Sequence, residues 1–251
     1  MSILSKISKP ANRAIIATIC GDSGLGKTSL ACTFPNPIVI RAEDGLQAIP
    51  ESTRPDAFPV ISKVDELWEQ LTALIKEEHS YKTVIIDSVT QLETLFAQHV
   101  IDSDPKKPKS LAQANGGYGA GYLAVALLHQ RVRKAAQLLN DAGLNIVFIA
   151  HADTETIELP DQDPYTRYNL RLHKKCISPY VDNVDLVCFI KLQTFVTGEE
   201  GQRKKAISDG SRIGVCYATA SNVSKNRFGI TDDIEIKLGS NPFTKFLVKG
   251  E

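Results

Sequence analysis

Apolar positions along the chain alternate between two spacings, and the alternation predicts the elements. "AIIATIC" (residues 14–20) is a run of mostly β-branched and apolar residues with no polar face, the pattern of a strand buried on both sides. It ends in the glycine-rich "GDSGLG", and "KTSLACTF" after it predicts a helix stopped before Pro35. "PIVIRAE" is a second strand. In "VDELWEQLTALIKEEH", Val64, Leu67, Trp68, Leu71, Leu74 and Ile75 recur at helical spacing and give one apolar face. "KTVIID" is a third strand. "SVTQLETLFAQHVI" predicts a helix opened by Ser88, with Gln91 three positions later at capping-box spacing.

From Asp102 to Gly121 the chain is rich in Pro, Lys, Gly and polar residues and predicts a loop, unusually long for a compact domain. A helix from about Tyr122 to Asp141, closed by Gly143, leads into "NIVFIAH", a fourth buried strand. Residues 152–182 look irregular. "VDLVCFIKL", "RIGVCYATA" and "IEIKL" then read as strands without intervening helices, the first two joined through "TGEEG". Strands alternating with helices, then strands alone, predict an α/β fold: a mainly parallel sheet flanked by helices, with antiparallel edge strands. The expected organisation is an N-terminal arm (residues 1–13) and a single domain over residues 14–251.

Composition narrows the setting. A chain of 251 residues with 43% hydrophobic residues is long enough for one sizeable core. Lys plus Arg and Asp plus Glu both total 29, so no global field favours nucleic acid and any polyanion site must be local. The five cysteines (Cys20, Cys32, Cys176, Cys188, Cys216) never occur as CxxC, which suits reduced core thiols and argues against a disulfide framework or a zinc site. The start "MSILSKISKPANR" lacks a long apolar segment, and no apolar run reaches bilayer length; a cytoplasmic protein is expected.

"GDSGLGKT" (residues 21–28) matches GxxxxGK[ST] between a predicted strand and a predicted helix, the context a P-loop requires. Backbone amides of Gly21, Asp22, Ser23, Gly24, Leu25, Gly26, Lys27, Thr28 and Ser29 would cradle phosphates at a helix N-terminus. Lys27 would reach the β and γ phosphates, and the Thr28 hydroxyl would bind Mg2+. Asp87, at the end of an apolar strand, emerges at the carboxyl edge where open α/β sheets bind ligands, and is the second magnesium candidate. Glu43 and Asp44 end the strand between these motifs. Glu43 is the preferred base for the attacking water, against the plain reading of a solvated acidic pair. His151, ending the fourth strand, is a γ-phosphate sensor candidate or a structural histidine. The NKxD signature of GTP recognition is absent, which favours ATP, and no Arg-rich lid suggests a small-molecule kinase.

Together these residues resemble the RecA-like ATPases. "VIIDSVTQL" is similar to the RecA magnesium strand, with Asp87, Ser88, Val89 and Leu92 in matching places. "VIRAEDG" is similar to the stretch that carries the RecA catalytic glutamate, matched by Glu43. "KNRFG" (residues 225–229) is the hallmark of the bacterial RadA recombination protein. A core of this kind, with "FPNPIVIRAEDG" after the P-loop helix, most resembles the phage RecA-like proteins of the fourth Sak-type group, which anneal single-stranded DNA. The resemblance spans about residues 14–233 and departs from RecA at His151, where RecA has glutamine. An N-terminal assembly module, a zinc finger and a protease-like C-terminal domain are not recognisable.

The resemblance implies a homo-oligomer, ring or filament, that hydrolyses ATP at subunit interfaces under stimulation by single-stranded DNA. A single-strand DNA-binding protein is a second implied partner, and the host cytoplasm the implied setting if the chain is phage-encoded. Lys225 and Arg227 become candidates for reaching a neighbour's ATP, against a solvated hairpin with Phe228 in its own core. The segments after the third and fourth strands become DNA-contact candidates. The first offers Lys106, Lys107, Lys109 and Tyr118, with Tyr122 nearby; the second offers Arg167, Arg171, Lys174 and Lys175, near Tyr165 and Tyr168.

Overall fold

The computed structural model describes residues 3–8, 13–197 and 205–247. Its first half alternates as the sequence predicts: β1 (Ile16–Gly21), α1 (Lys27–Ala31), β2 (Pro37–Arg41), a short β3 (Asp56–Ala57), α2 (Val64–Lys76), β4 (Thr83–Asp87), α3 (Val89–Ser103) and α4 (Ala120–Asp141). The second half is β-rich: β5 (Asn145–Leu159), β6 (Gln162–Leu170), α5 (Ser178–Val181), β7 (Leu186–Leu192), β8 (Phe195–Thr197), β9 (Lys205–Ile207), β10 (Arg212–Val215), β11 (Lys225–Asn226) and β12 (Ile234–Glu235). The main sheet runs β12-β10-β7-β1-β5-β4-β2-β3. Strands β7, β1, β5, β4, β2 and β3 are parallel, while β10, β11 and β12 pair antiparallel at the β7 side. This is the α/β architecture with antiparallel edges that the pattern predicts.

Successive strand residues point to opposite faces, so each strand feeds two cores. Ile38, Ile40, Val84, Ile86, Ile146 and Phe148 face α2, α3 and α4, while Val39, Ile85, Val147 and Ile149 face α1 and Phe243. The helices sit on the first face because their apolar stripes match it: Val64, Leu67 and Leu71 from α2, Leu92 and Phe96 from α3, Val125 and Val132 from α4. Ser88 caps α3 by accepting the Gln91 N–H at 3.2 Å, as its spacing predicts.

Two regions differ from expectation. Residues 152–170, read as irregular, are a hairpin: β5 runs beyond its buried half (Asn145–Ala150) and pairs antiparallel with β6, from Ala152 opposite Leu170 to Leu159 opposite Gln162. Thr154, Thr156, Ile157, Tyr165 and Thr166 are strand formers, but both faces are largely exposed, so no apolar alternation marks them. The strands expected over "RIGVCYATA" and "IEIKL" are also shorter, at Arg212–Val215 and Ile234–Glu235. Most of the predicted "TGEEG" connection, like residues 9–12 of the arm, lies outside the described residues. Among the described residues no helix is long and apolar enough to cross a membrane, and the five cysteines are free.

Candidate functional site

Parallel pairing brings the carboxyl ends of β1, β2, β4 and β5 to one edge, so Gly21 lies beside His151 and Arg41 beside Asp87. At Gly21 strand β1 passes so close to β7 that a Cβ would stand 2.6 Å from the Ile190 carbonyl oxygen. The loop that follows curls into α1 through Gly24 and Gly26, both left-handed with φ of 81° and 80°. The N-terminus of α1 therefore opens onto a cavity of about 360 Å³.

The sequence-predicted residues converge on this cavity. Lys27 is buried, and its ammonium donates to the Asp22 carbonyl at 2.9 Å. Burial lowers its pKa, while nearby Asp87 and Glu43 favour the charged form. The Thr28 hydroxyl donates to Asp87 Oδ2 at 2.7 Å. Asp87 is 2% exposed, and burial pushes its pKa up to about 6 against the Thr28 hydrogen bond. A buried carboxylate next to a hydroxyl at a helix N-terminus suits a hard cation shared with phosphate oxygens, so Thr28 and Asp87 fit Mg2+ and residues 21–29 fit a nucleotide triphosphate.

Glu43 reaches the same cavity because the Ala42 and Glu43 amides both donate to the Asp87 carbonyl, at 2.7 and 3.2 Å. Asp44 turns away, paired with Arg41 at 3.1 Å and Gln47 at 3.3 Å. That separates the two carboxylates that sequence left adjacent. The His151 imidazole bridges the site, with Nε2 3.2 Å from Glu43 Oε1 and Nδ1 3.3 Å from the Ser23 hydroxyl. Its hydrogen bond lowers the Glu43 pKa, opposed by burial and helped by the Ser88 hydroxyl.

One cation at this site escaped the sequence reading. Arg212, the first residue of β10, lines the phosphate cavity, and its Nη1 lies 3.4 Å from the Leu25 carbonyl oxygen. A Cβ on Gly26 would run into the guanidinium. Only the antiparallel return of β10 beside β7 brings residue 212 back to residues 25–26, and no local motif announces it. A second cavity of about 860 Å³ adjoins the first through the shared residues Ser29 and Ala48. Its lining mixes Cys32, Ile49, Pro50 and Leu238 with Thr33 and Asn241, apolar walls with a few polar groups that suit a nucleobase.

The model of the AAA domain family matches residues 13–228, which carry every residue named at the phosphate cavity. The chain belongs to the AAA domain family. The SPbeta prophage-derived uncharacterized protein YorG of Bacillus subtilis (strain 168) is 26% identical over 179 residues, covering 70% of this chain and 50% of that protein. The chain thus matches about half the length of that relative. The KaiC-like protein PH0186 of Pyrococcus horikoshii OT3 aligns over 90% of this chain and 86% of its own, with 12% identity and a TM-score of 0.49. An AAA domain with this P-loop is an ATPase domain.

Beyond the AAA domain's nucleotide pocket the remaining candidates are dispersed. Lys225 and Asn226 pair with Val187 and Leu186, early in β7, whereas the P-loop edge lies at Ile190. The Lys225 ammonium donates to the Asp182 carbonyl at 2.7 Å, and Arg227 pairs with Asp185 at 2.9 Å. Phe228 stacks on Phe246, with ring centroids 4.7 Å apart. The two cations thus sit back along β7 from the P-loop edge and outside the lining of its cavity.

In the loop after α3, Lys106, Lys107, Lys109 and Tyr118 are exposed, while Asp104 turns inward to accept the Lys106 and Asn115 amides at 2.8 and 2.6 Å. Tyr122 stacks on His173 with centroids 4.6 Å apart, so its ring is already occupied. Arg171, Lys174 and Lys175 are exposed after the hairpin, whereas Arg167 is held across it by Glu155 at 2.7 Å. The Tyr122–His173 stack is where the two predicted DNA segments meet.

Proposed function

We propose that the chain is an ATP-dependent, RecA-like protein that binds single-stranded DNA and promotes annealing or recombination, hydrolysing ATP at interfaces between copies. The observation that carries the ATPase part is the convergence of the Thr28–Asp87 pair, at 2.7 Å, with the Glu43 carboxylate in one phosphate-sized cavity. Mg2+ would neutralise charge on the phosphates when bound. Lys27 and the loop amides hold the phosphate chain, and the adjoining cavity beyond Ser29 takes the base. Glu43 orients a water and accepts its proton, while His151 fixes the carboxylate in place.

The DNA part is supported by the "KNRFG" resemblance, by the exposed Lys and Arg residues of the two segments, and by the prophage origin of the curated relative. ATP turnover with and without a single-stranded oligonucleotide, measured beside annealing of complementary strands, tests it. Stimulated turnover and annealing above the spontaneous rate are expected; neither effect overturns the DNA reading and leaves the ATPase.

The Glu43–His151 contact favours a second reading. A carboxylate whose pKa is lowered by an imidazole is a weaker proton acceptor, which suits a module that uses ATP to assemble and turns it over slowly. ATP-dependent DNA binding without measurable turnover distinguishes it from the first.

A further inference from the structure

Three side chains far apart in sequence meet between α3, α4 and the 3-10 turn Lys174–Cys176. The donor atoms of Glu93, His129 and Cys176 all lie within 4.8 Å of one another. His129 and Cys176 are fully buried, and the Glu93 side chain is 24% exposed. No metal signature exists in the sequence, because the three residues come from separate elements and the cysteines lack CxxC spacing.

His129 is the telling member. Its Nδ1 sits 2.7 Å from the Tyr180 hydroxyl, and its ring is gripped edge-on by Phe96 and Tyr180, with centroids 5.0 and 5.5 Å away. Its Nε2 has no hydrogen-bond partner, although it is shut off from solvent. The nearest carboxylate oxygen, Glu93 Oε2, is 3.7 Å away, beyond hydrogen-bond reach. A buried ring nitrogen is rarely left so, and this one is aimed at a carboxylate and a thiol.

We propose that Glu93, His129 and Cys176 bind a divalent cation of the zinc class through a carboxylate oxygen, the imidazole Nε2 and a thiolate. The donor set selects the metal: thiolate and imidazole favour zinc over magnesium or calcium. Zinc bonds of about 2.0–2.3 Å place tetrahedral ligand atoms roughly 3.3–3.7 Å apart, so the cluster needs only a modest contraction. Water takes the fourth position on the open side, at Glu93. The surrounding contacts orient the ligands as metal sites require. In the Nδ1–H tautomer His129 donates to the Tyr180 oxygen and turns the Nε2 lone pair to the cluster, and the His173 amide donates to both Glu93 oxygens at 2.9 and 3.0 Å. On binding, the Cys176 S–H bond breaks, the sulfur pair forms the metal–sulfur bond, and the proton leaves to solvent. The ion would tie α3, which starts one residue after Asp87–Ser88, to the segment that follows β6.

Cobalt(II) titration of the full chain, stripped with a chelator and then freed of it, tests the site. A near-ultraviolet thiolate-to-cobalt band saturating at about one cobalt per chain is expected, displaced by Zn2+. Zn2+ should also raise the thermal midpoint, while Mg2+ in the absence of nucleotide should not. Cys176→Ser should abolish the band, and Glu93→Gln should weaken binding by about tenfold or more. Absence of the band in the wild-type chain, or an undiminished band in Cys176→Ser, overturns the proposal. Glu93→Gln serves the same purpose if Cys176→Ser does not fold: unaltered affinity overturns it. None of these readouts involves ATP or DNA, so the result stands apart from the proposed function.

Discussion

His151 Nε2 lies 3.2 Å from Glu43 Oε1 while its Nδ1 lies 3.3 Å from the Ser23 hydroxyl, so one imidazole links the phosphate loop to the proposed base. Glu43 must be ionised to accept a proton, and the His151 hydrogen bond holds its pKa below the ordinary carboxylate range. At Mg2+ concentrations that keep Asp87 ionised, the acid limb of ATP turnover should therefore lie lower than an ordinary glutamate would set it. In His151→Ala the carboxyl loses that support and its pKa rises, moving the limb to higher pH. A pH–rate profile checks this, and an unchanged limb would remove His151 from the site. Glu43→Gln should cost about 10²- to 10⁴-fold in turnover with nucleotide affinity retained.

Asp87 carries the opposite shift. Its folded pKa, raised from 3.8 to about 6 by burial, means that the folded chain binds the proton more tightly than the unfolded one. Without metal, stability should fall as pH rises between about 4 and 6, with a full cost near 3 kcal/mol above that window. Asp87→Asn should thus melt higher than the wild type at pH 7.5 in chelator, and the gap should close near pH 4. Added ATP and Mg2+ should reverse the order at pH 7.5, because only the carboxylate gains from the cation. Parallel pH dependences of the two melting points would count against this account.

Much of the nucleotide site was legible because it is local. "GDSGLGKT" spans eight consecutive residues, and Asp87 announces itself as the one carboxylate ending an apolar strand. Glu43 needed the fold for its separation from Asp44, since only main-chain bonds to the Asp87 carbonyl decide which of two neighbours faces the cavity. Arg212 and the Glu93–His129–Cys176 cluster were illegible, because strand return and helix packing bring them together across long separations. The β5–β6 hairpin stayed hidden because neither of its faces is buried, and hydrophobic periodicity records burial rather than pairing.

Arg212 should matter to nucleotide binding although it lies outside every motif. Its guanidinium packs on Gly26 and approaches the Leu25 carbonyl at 3.4 Å, a weak contact that a phosphate oxygen would outcompete. Arg212→Ala should weaken ATP affinity by about tenfold, and Arg212→Lys should restore only part, because a point charge lacks the planar fork. Equilibrium binding of a fluorescent ATP analogue measures both. Wild-type affinity in the alanine variant would place Arg212 in a packing role alone.

Asp185 separates stability from assembly. Its carboxylate accepts from Arg13, Arg227 and the Ile16 amide, each at 2.9 Å, and is almost fully buried. Asp185→Ala removes the acceptor of all three donors and should destabilise by about 2–3 kcal/mol. The Arg227 side chain is 54% exposed, so Arg227→Ala should cost less than about 1 kcal/mol. If Arg227 serves a neighbour's ATP, this well-folded variant should lose turnover, and mixing it with Lys27→Ala chains should recover part of it through composite sites. Full activity in Arg227→Ala alone would confine the residue to its own domain.

The exposed cations after the hairpin make the DNA reading quantitative. Lys174 and Lys175 are exposed with free reach, whereas Arg167 is already neutralised across the hairpin by Glu155 at 2.7 Å. Each phosphate neutralised on a single strand contributes about 0.7 to the slope of log affinity against log salt. Replacing both lysines by alanine should weaken single-stranded DNA binding and reduce that slope by about 1.4. Arg167→Ala should leave both quantities nearly unchanged. Fluorescence anisotropy across a salt series, with ATP and Mg2+ present, reads the two effects together. A double-lysine variant with the wild-type slope would remove this segment from the DNA path and shift attention to Lys106, Lys107 and Lys109, whose exposed ammonium groups follow α3.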